Sequence, residues 1–133
     1  MKAIVPTIVF TSQMVFADTG ISDFRWKTRL LVVSGATEKL VERLDEEEAG
    51  IFERDMQVFI LSGAGKSEYP VKPKLAAEFT ARLKPDPEHP KVFLIGKDGR
   101  TTLEWKMENF SFKKLYASID AMPMRQREMR EKR

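Results

Sequence analysis

Pro90-Lys-Val-Phe-Leu-Ile-Gly-Lys-Asp-Gly-Arg-Thr-Thr-Leu-Glu-Trp105 decides how the rest of the chain is read. Val92 to Ile95 is an apolar run without internal polarity, as expected of a strand buried on both faces. Asp98-Gly99 offers the positive φ angles of a tight turn, so a β-hairpin is predicted. Beyond the turn, Leu103, Trp105 and Met107 alternate with polar residues. One face of that second strand is therefore buried and the other wet, which places it at or near a sheet edge.

Working back from Pro90, Lys84-Pro-Asp-Pro-Glu-His-Pro90 is a stiff connector. His89 is the chain's lone histidine, and Glu88 is its acidic neighbour. Adjacent residues on an extended segment point to opposite sides, so Glu88 is poorly placed to orient the ring and His89 reads as an exposed loop residue. Working forward from Trp105, Asn109 or Ser111 caps a last helix. Phe112, Leu115, Tyr116, Ile119 and Met122 fall on one face of it, and Pro123 ends or kinks it. The tail from Met124 is basic: Arg125, Arg127, Arg130, Lys132 and Arg133 against Glu128 and Glu131 give the last nine residues the chain's whole net charge of +3. It reads either as a frayed terminus or as a short amphipathic helix that engages an anionic surface or an acidic protein.

With 133 residues the chain makes one domain. It has no cysteine, which excludes disulfides, thiolate catalysis, iron–sulfur ligation and cysteine–zinc sites among these residues. With one histidine, histidine metal clusters are excluded as well. No metal site and no cofactor are predicted.

In the first half, Phe24-Arg-Trp-Lys-Thr-Arg29 alternates aromatic and basic residues. Such interleaving can bind single-stranded nucleic acid. The reading preferred here is the solvated face of a strand entrance, with Phe24 and Trp26 packed as anchors, and no nucleic-acid partner is expected. Leu30 to Val33 follows as the first central strand. Thr37 caps an amphipathic helix that carries Leu40, Val41, Leu44, Ile51 and Phe52 up to about Arg54, with Gly50 as an early breakpoint. Its acidic run Asp45 to Glu48 cannot converge on one cation, because consecutive helical residues diverge by about 100°. Met56 to Leu61 is a second strand, completing a βαβ unit. Gly63-Ala-Gly-Lys-Ser67 resembles the end of a P-loop. It lacks that motif's first glycine, and Pro70 and Pro73 forbid a helix starting at the lysine, so a loop tip is predicted. The next helix starts at Pro73, with Leu75, Ala76, Phe79 and Leu83 on one face.

Met1 to Ala17 has a positive charge at Lys2, an apolar centre from Ala3 to Phe10, and Val15-Phe16-Ala17 before Asp18. This is a signal-peptide pattern with cleavage after Ala17, leaving 18–133 as the domain. Pro6 and the polar Thr11 to Gln13 are also compatible with an apolar N-terminal strand. The signal reading implies a periplasmic or secreted protein without a transmembrane segment.

The predicted order βαβαββα is that of an α/β, thioredoxin-like domain: a mixed sheet of about four strands with helices on both faces. Pro90 to Gly99 resembles the segment of thioredoxin-like and peroxiredoxin-like proteins in which a cis-proline opens a strand and an Asp-Gly turn follows. That resemblance implies that Pro90 is cis and lies beside the active-site position. The position of the redox cysteines falls in Ser34-Gly-Ala-Thr-Glu-Lys39, without sulfur, so thiol–disulfide exchange and thiol peroxidase activity are excluded. Phe24 to Leu31, Val92 to Gly99 and Ile119-Asp-Ala-Met-Pro-Met-Arg-Gln-Arg-Glu-Met129 together resemble the prokaryotic branch of the DUDES domain family, which includes domains of animal matrix proteins such as equarin. The resemblance spans Asp18 to Arg130 and implies a thioredoxin-like fold and export. It carries no catalytic residues. Two candidate sites follow. One is a binding face of Arg25, Trp26 and Lys27 with Arg125, Arg127 and Arg130. The other is a non-thiol cleft with Thr37, Glu38, His89 and Pro90.

Overall fold

The computed structural model of the protein describes residues 19–132. The predicted signal segment Met1 to Ala17 lies outside them. The elements are β1 (Arg29–Ser34), α1 (Glu38–Glu46), α2 (Glu48–Glu53), β2 (Met56–Ile60), α3 (Pro73–Leu83), β3 (Lys91–Ile95), β4 (Thr101–Lys106), α4 (Phe112–Asp120) and α5 (Pro123–Glu131). Four strands form one mixed sheet in the order β2-β1-β3-β4. β1 runs parallel to β2 and antiparallel to β3, and β3 runs antiparallel to β4. This is the expected thioredoxin-like arrangement, with β4 at an edge.

Side-chain alternation sorts the core into two layers. Leu31, Val33, Val58, Ile60, Val92 and Leu94 face one side, where Leu40, Val41, Leu44, Ile51, Phe112, Leu115 and Ile119 of α1, α2 and α4 cover them. Leu30, Val32, Phe59, Phe93 and Ile95 face the other side, beneath Leu75 and Phe79 of α3 and Ile21. A sheet covered on both faces explains why β1 and β3 read as unbroken apolar runs.

Four local readings need correction. The helix after Thr37 divides at Glu47, whose φ of −95° and ψ of 11° separate α1 from α2. Gly50 lies inside α2, where a Cβ would meet the Tyr116 hydroxyl at 2.6 Å, so it admits α4 rather than ending a helix. The hairpin loop has three residues, Lys97-Asp98-Gly99. Gly96 N–H donates to Arg100 O and Gly99 N–H to Gly96 O, both at 2.9 Å, and of the Asp98-Gly99 pair only Gly99 has positive φ, +84°. That is a turn closed by a glycine bulge, and it puts Lys97 in the first loop position. Finally, the described peptide bonds are all trans, Pro90 included. The 86–89 turn, in which His89 N–H donates to Asp86 O, delivers an extended chain into β3 through the lower-energy isomer.

The predicted loop tip after β2 seals the C-terminal ends of the two parallel strands. Ala36 N–H donates to Ser62 O and Ala64 N–H to Ala36 O, both at 2.9 Å. Gly63 has φ +101°, and a Cβ there would lie 2.4 Å from both Ala36 N and Ala36 O. We expect Gly63→Ala to destabilise the domain by at least about 2 kcal/mol, since it combines backbone strain with a backbone clash. The shift of the urea-unfolding midpoint measures it.

Candidate functional site

The sheet end formed by the starts of β1 and β2 and the end of β3 carries buried charge. Arg29, the first residue of β1, is 1% exposed, and Lys97, just after β3, is buried. Both turn to Glu128 of α5: Arg29 Nη1 and Nη2 donate at 3.3 and 3.2 Å, and Lys97 Nζ donates at 2.7 Å. Lys97 also reaches Asp55 at 2.9 Å, and Arg29 donates to Arg54 O at 2.7 Å. Beside this cluster, Arg125 donates to Glu53 Oε2 at 2.8 Å and to Asp120 Oδ1 at 3.2 Å. Arg54 holds Asp120 through two bonds, at 3.1 and 2.9 Å, while its guanidinium stacks 3.9 Å from the Tyr116 ring centroid. Among the described residues no buried side-chain nitrogen or oxygen lacks a hydrogen-bond partner.

This geometry corrects the reading of Arg125 as a contact residue on a solvated tail. It is 1% exposed and helps anchor α5, whose N-terminus Pro123 starts. Arg127 and Arg130 are exposed on the same helix. Composition gives no signal for the difference. A usable clue was Arg29, a charge heading an otherwise apolar strand and therefore needing a carboxylate from elsewhere.

Arg25, Trp26 and Lys27 lie at this same end. Trp26 N–H donates to Lys97 O at 2.6 Å, and Lys97 in turn holds Glu128. Two clusters about a hundred residues apart in sequence are thus joined through one lysine. Phe24 is the packed anchor predicted, edge-on to Phe59 at 5.8 Å. Trp26 is not: it is 60% exposed and sits at φ +68°, a conformation that bulky residues rarely adopt. Arg25 packs its guanidinium 5.5 Å from the Trp26 ring centroid and donates from Nε to Asp98 O at 3.2 Å. Arg82 donates to Gly99 O. Three successive loop carbonyls are therefore held from outside the hairpin.

The opposite end holds the cleft candidates. Gly35, at φ +75°, lies against Pro90, where an added Cβ would sit 2.9 Å from the Pro90 Cβ. The Thr37 hydroxyl caps α1 by accepting from Leu40 N–H at 3.1 Å, and Glu38 is exposed in the first turn. His89 is oriented by Asp86, at 2.7 Å from Nδ1, rather than by Glu88, whose N–H binds the other Asp86 oxygen at 3.0 Å. The Glu88 N–H and then the His89 ring hold the Asp86 carboxyl below its ordinary range. His89 and Pro90 line a shallow cavity of about 310 Å³ with Asp86 and Lys106. Thr37 lines a different one of about 460 Å³ with Lys39, Phe110 and Phe112. Glu108 borders both, and Glu38 lines neither, so the four cleft candidates do not converge. Among the described residues no His, Asp or Glu cluster is arranged to hold a metal ion, and no helix is long and apolar enough to cross a membrane. The segment resembling a P-loop has no helix behind Lys66; the next begins at Pro73.

The fold is that of thioredoxin-like proteins, and peroxiredoxins are among its structural neighbours. Prx1a of Plasmodium yoelii, modified at its N-terminus and forming an artifactual octamer, superposes with a TM-score of 0.58 at 15% identity, covering 80% of each chain. The mitochondrial 2-cys peroxiredoxin of Plasmodium falciparum gives 0.51 at 8% identity, covering 75% of this chain and 78% of that one. The chain matches over residues 21–128 the family described as a domain of unknown function (DUF4174), and it belongs to that family. No curated protein matches it significantly.

Burial pushes the Glu128 carboxyl up, but hydrogen bonds and charge from Lys97 and Arg29 outweigh this and hold it below its ordinary value. Asp120 is treated likewise by burial against Arg54 and Arg125. Their stabilising contribution is thus full above the ordinary carboxylate range and is lost as pH falls through the lower folded values. We expect stability to decline from about pH 4.5 downward. Glu128→Gln should cost about 3 kcal/mol at pH 7 by leaving buried cations uncompensated, and should flatten the acid limb. Arg127→Gln should stay within about 0.5 kcal/mol of wild type. Urea midpoints at pH 7 and pH 3 measure both effects.

Proposed function

We propose that this thioredoxin-like domain is an exported binding module that works without redox chemistry. Its contact face is the sheet end that carries Arg25, Trp26 and Lys27, with Arg127 and Arg130 on the neighbouring helix. The observation carrying this reading is Trp26, a large aromatic side chain held outward at positive φ by the Lys97 carbonyl. Such strain costs on the order of 1–3 kcal/mol and is characteristic of functional positions. Export is supported by the Lys2, Ala3 to Phe10 and Val15-Phe16-Ala17 pattern and by the resemblance to DUDES domains.

A photo-reactive residue at position 26 should give a cross-linked product in intact cells, whereas one at the exposed Phe52 should not. The same experiment reports the mature N-terminus, expected at Asp18. Absence of any position-26 product would contradict the binding face, and cytoplasmic protein retaining Met1 to Ala17 would contradict export.

The Asp86–His89 hydrogen bond beside the cavity at Pro90 favours a second reading, an enzyme with a non-thiol site in which His89 is the base. Unchanged turnover of His89→Ala, in any reaction found for the protein, would remove that role.

A further inference from the structure

The chemistry around Trp26 specifies a partner more closely than a binding face in general. Arg25 and Arg82 bind the hairpin loop, Arg100 directly follows it, Lys27 is the neighbour of Trp26, and all four are exposed. None of the four forms an ion pair within 4 Å among the described residues. The neighbouring loop carboxylate, Asp98, accepts the Arg100 N–H at 3.0 Å. The end is therefore cationic around an exposed indole. Among the described residues, four cavities lie along α1 and α4, at the 84–90 connector, at the outer edge of β2, and between Phe24, β2 and α3, and the side chains of Arg25, Trp26, Lys27, Arg82 and Arg100 line none of these four.

A small anion is bound by enclosing it, which takes a pocket. An exposed tryptophan with unpaired cations nearby, of which Arg25 lies against its ring, suits an extended, negatively charged surface with an apolar layer beneath. The indole can enter the layer while arginine and lysine stay with the headgroups. We propose that the Trp26 end docks on the surface of an anionic lipid bilayer. The attachment is peripheral: Trp26 enters the interface, Arg25, Lys27, Arg82 and Arg100 contact lipid phosphates, and the hydrogen bonds to the Lys97, Asp98 and Gly99 carbonyls hold the tip rigid. The proposal rests on the binding-module reading above and commits it to a lipid partner.

The test uses protein purified from cells and vesicles of phosphatidylglycerol with phosphatidylcholine, against vesicles of phosphatidylcholine alone. Sedimentation should show preferential binding to the anionic vesicles, with a blue shift of tryptophan emission, and the preference should fade as salt shortens the screening length. Trp26→Gly is the informative variant, because glycine adopts the native φ without strain and the fold is kept. It should weaken partitioning by about tenfold and abolish the shift. Arg25→Gln and Lys27→Gln should each weaken it about fivefold. Equal binding to neutral and anionic vesicles would overturn the proposal. So would anionic binding that survives Trp26→Gly or is lost only on changing Arg127 and Arg130. If vesicle binding fails but a photo-reactive residue at position 26 captures a protein, the lipid proposal falls and the binding module stands; if both fail, both fall.

Discussion

Everything at one end of this domain depends on the Glu128 carboxylate, which accepts from Arg29 and Lys97 at the end of the sheet. Removing one member of a buried ion cluster typically costs about 3–5 kcal/mol, because the remaining charges are left without partners. That penalty, more than apolar contact, fixes α5 in place. Its sequence, Pro-Met-Arg-Gln-Arg-Glu-Met-Arg-Glu, offers little to a hydrophobic core, and its fully buried residue is Arg125. The helix docks by charge, and Arg125 reinforces it through Glu53 and Asp120.

Lys97 carries the effect outward. A two-residue turn would have placed this lysine in the strand register, whereas the three-residue loop closed by Gly99 sets it at the base of the hairpin. There its ammonium joins the buried cluster while its carbonyl takes the Trp26 N–H at 2.6 Å. The exposed indole and the buried carboxylate are thus coupled through one residue. Trp26 is held where an aromatic side chain has no place in the core, only the Arg25 guanidinium beside it, and no comfortable backbone, which is why this end, rather than the cleft at Pro90, carries the functional reading.

Much of the fold was legible in the sequence because burial leaves periodic traces. The unbroken apolar runs of β1 and β3 followed from a sheet covered on both sides. The wet face of β4 followed from alternation, and the cap at Thr37 followed from side-chain chemistry, as did the pair Asn109 or Ser111, of which Ser111 is the cap. What was missed has no periodic trace. Arg125 and Arg127 are the same residue type two positions apart, and only the partner set from Glu53, Asp120 and Glu128 makes one buried and the other exposed. Asp86, three residues away across a turn, orients His89, while the adjacent Glu88 does not. Of the binding candidates, Arg25, Trp26, Lys27, Arg127 and Arg130 are brought to one end. The cleft candidates share an end, but His89 and Pro90 line one cavity, Thr37 lines another and Glu38 lines neither, and the chain keeps the thioredoxin-like scaffold without a thiol.

The most direct measurement of this coupling is amide hydrogen exchange of Trp26 by NMR in wild type and in Glu128→Ala, under conditions where both are folded. If the buried cluster positions the loop that presents the indole, the Trp26 N–H loses its protection together with the α5 amides, while the amides of β1 and β3 stay protected. A Trp26 amide that remains protected after α5 has loosened would contradict the account.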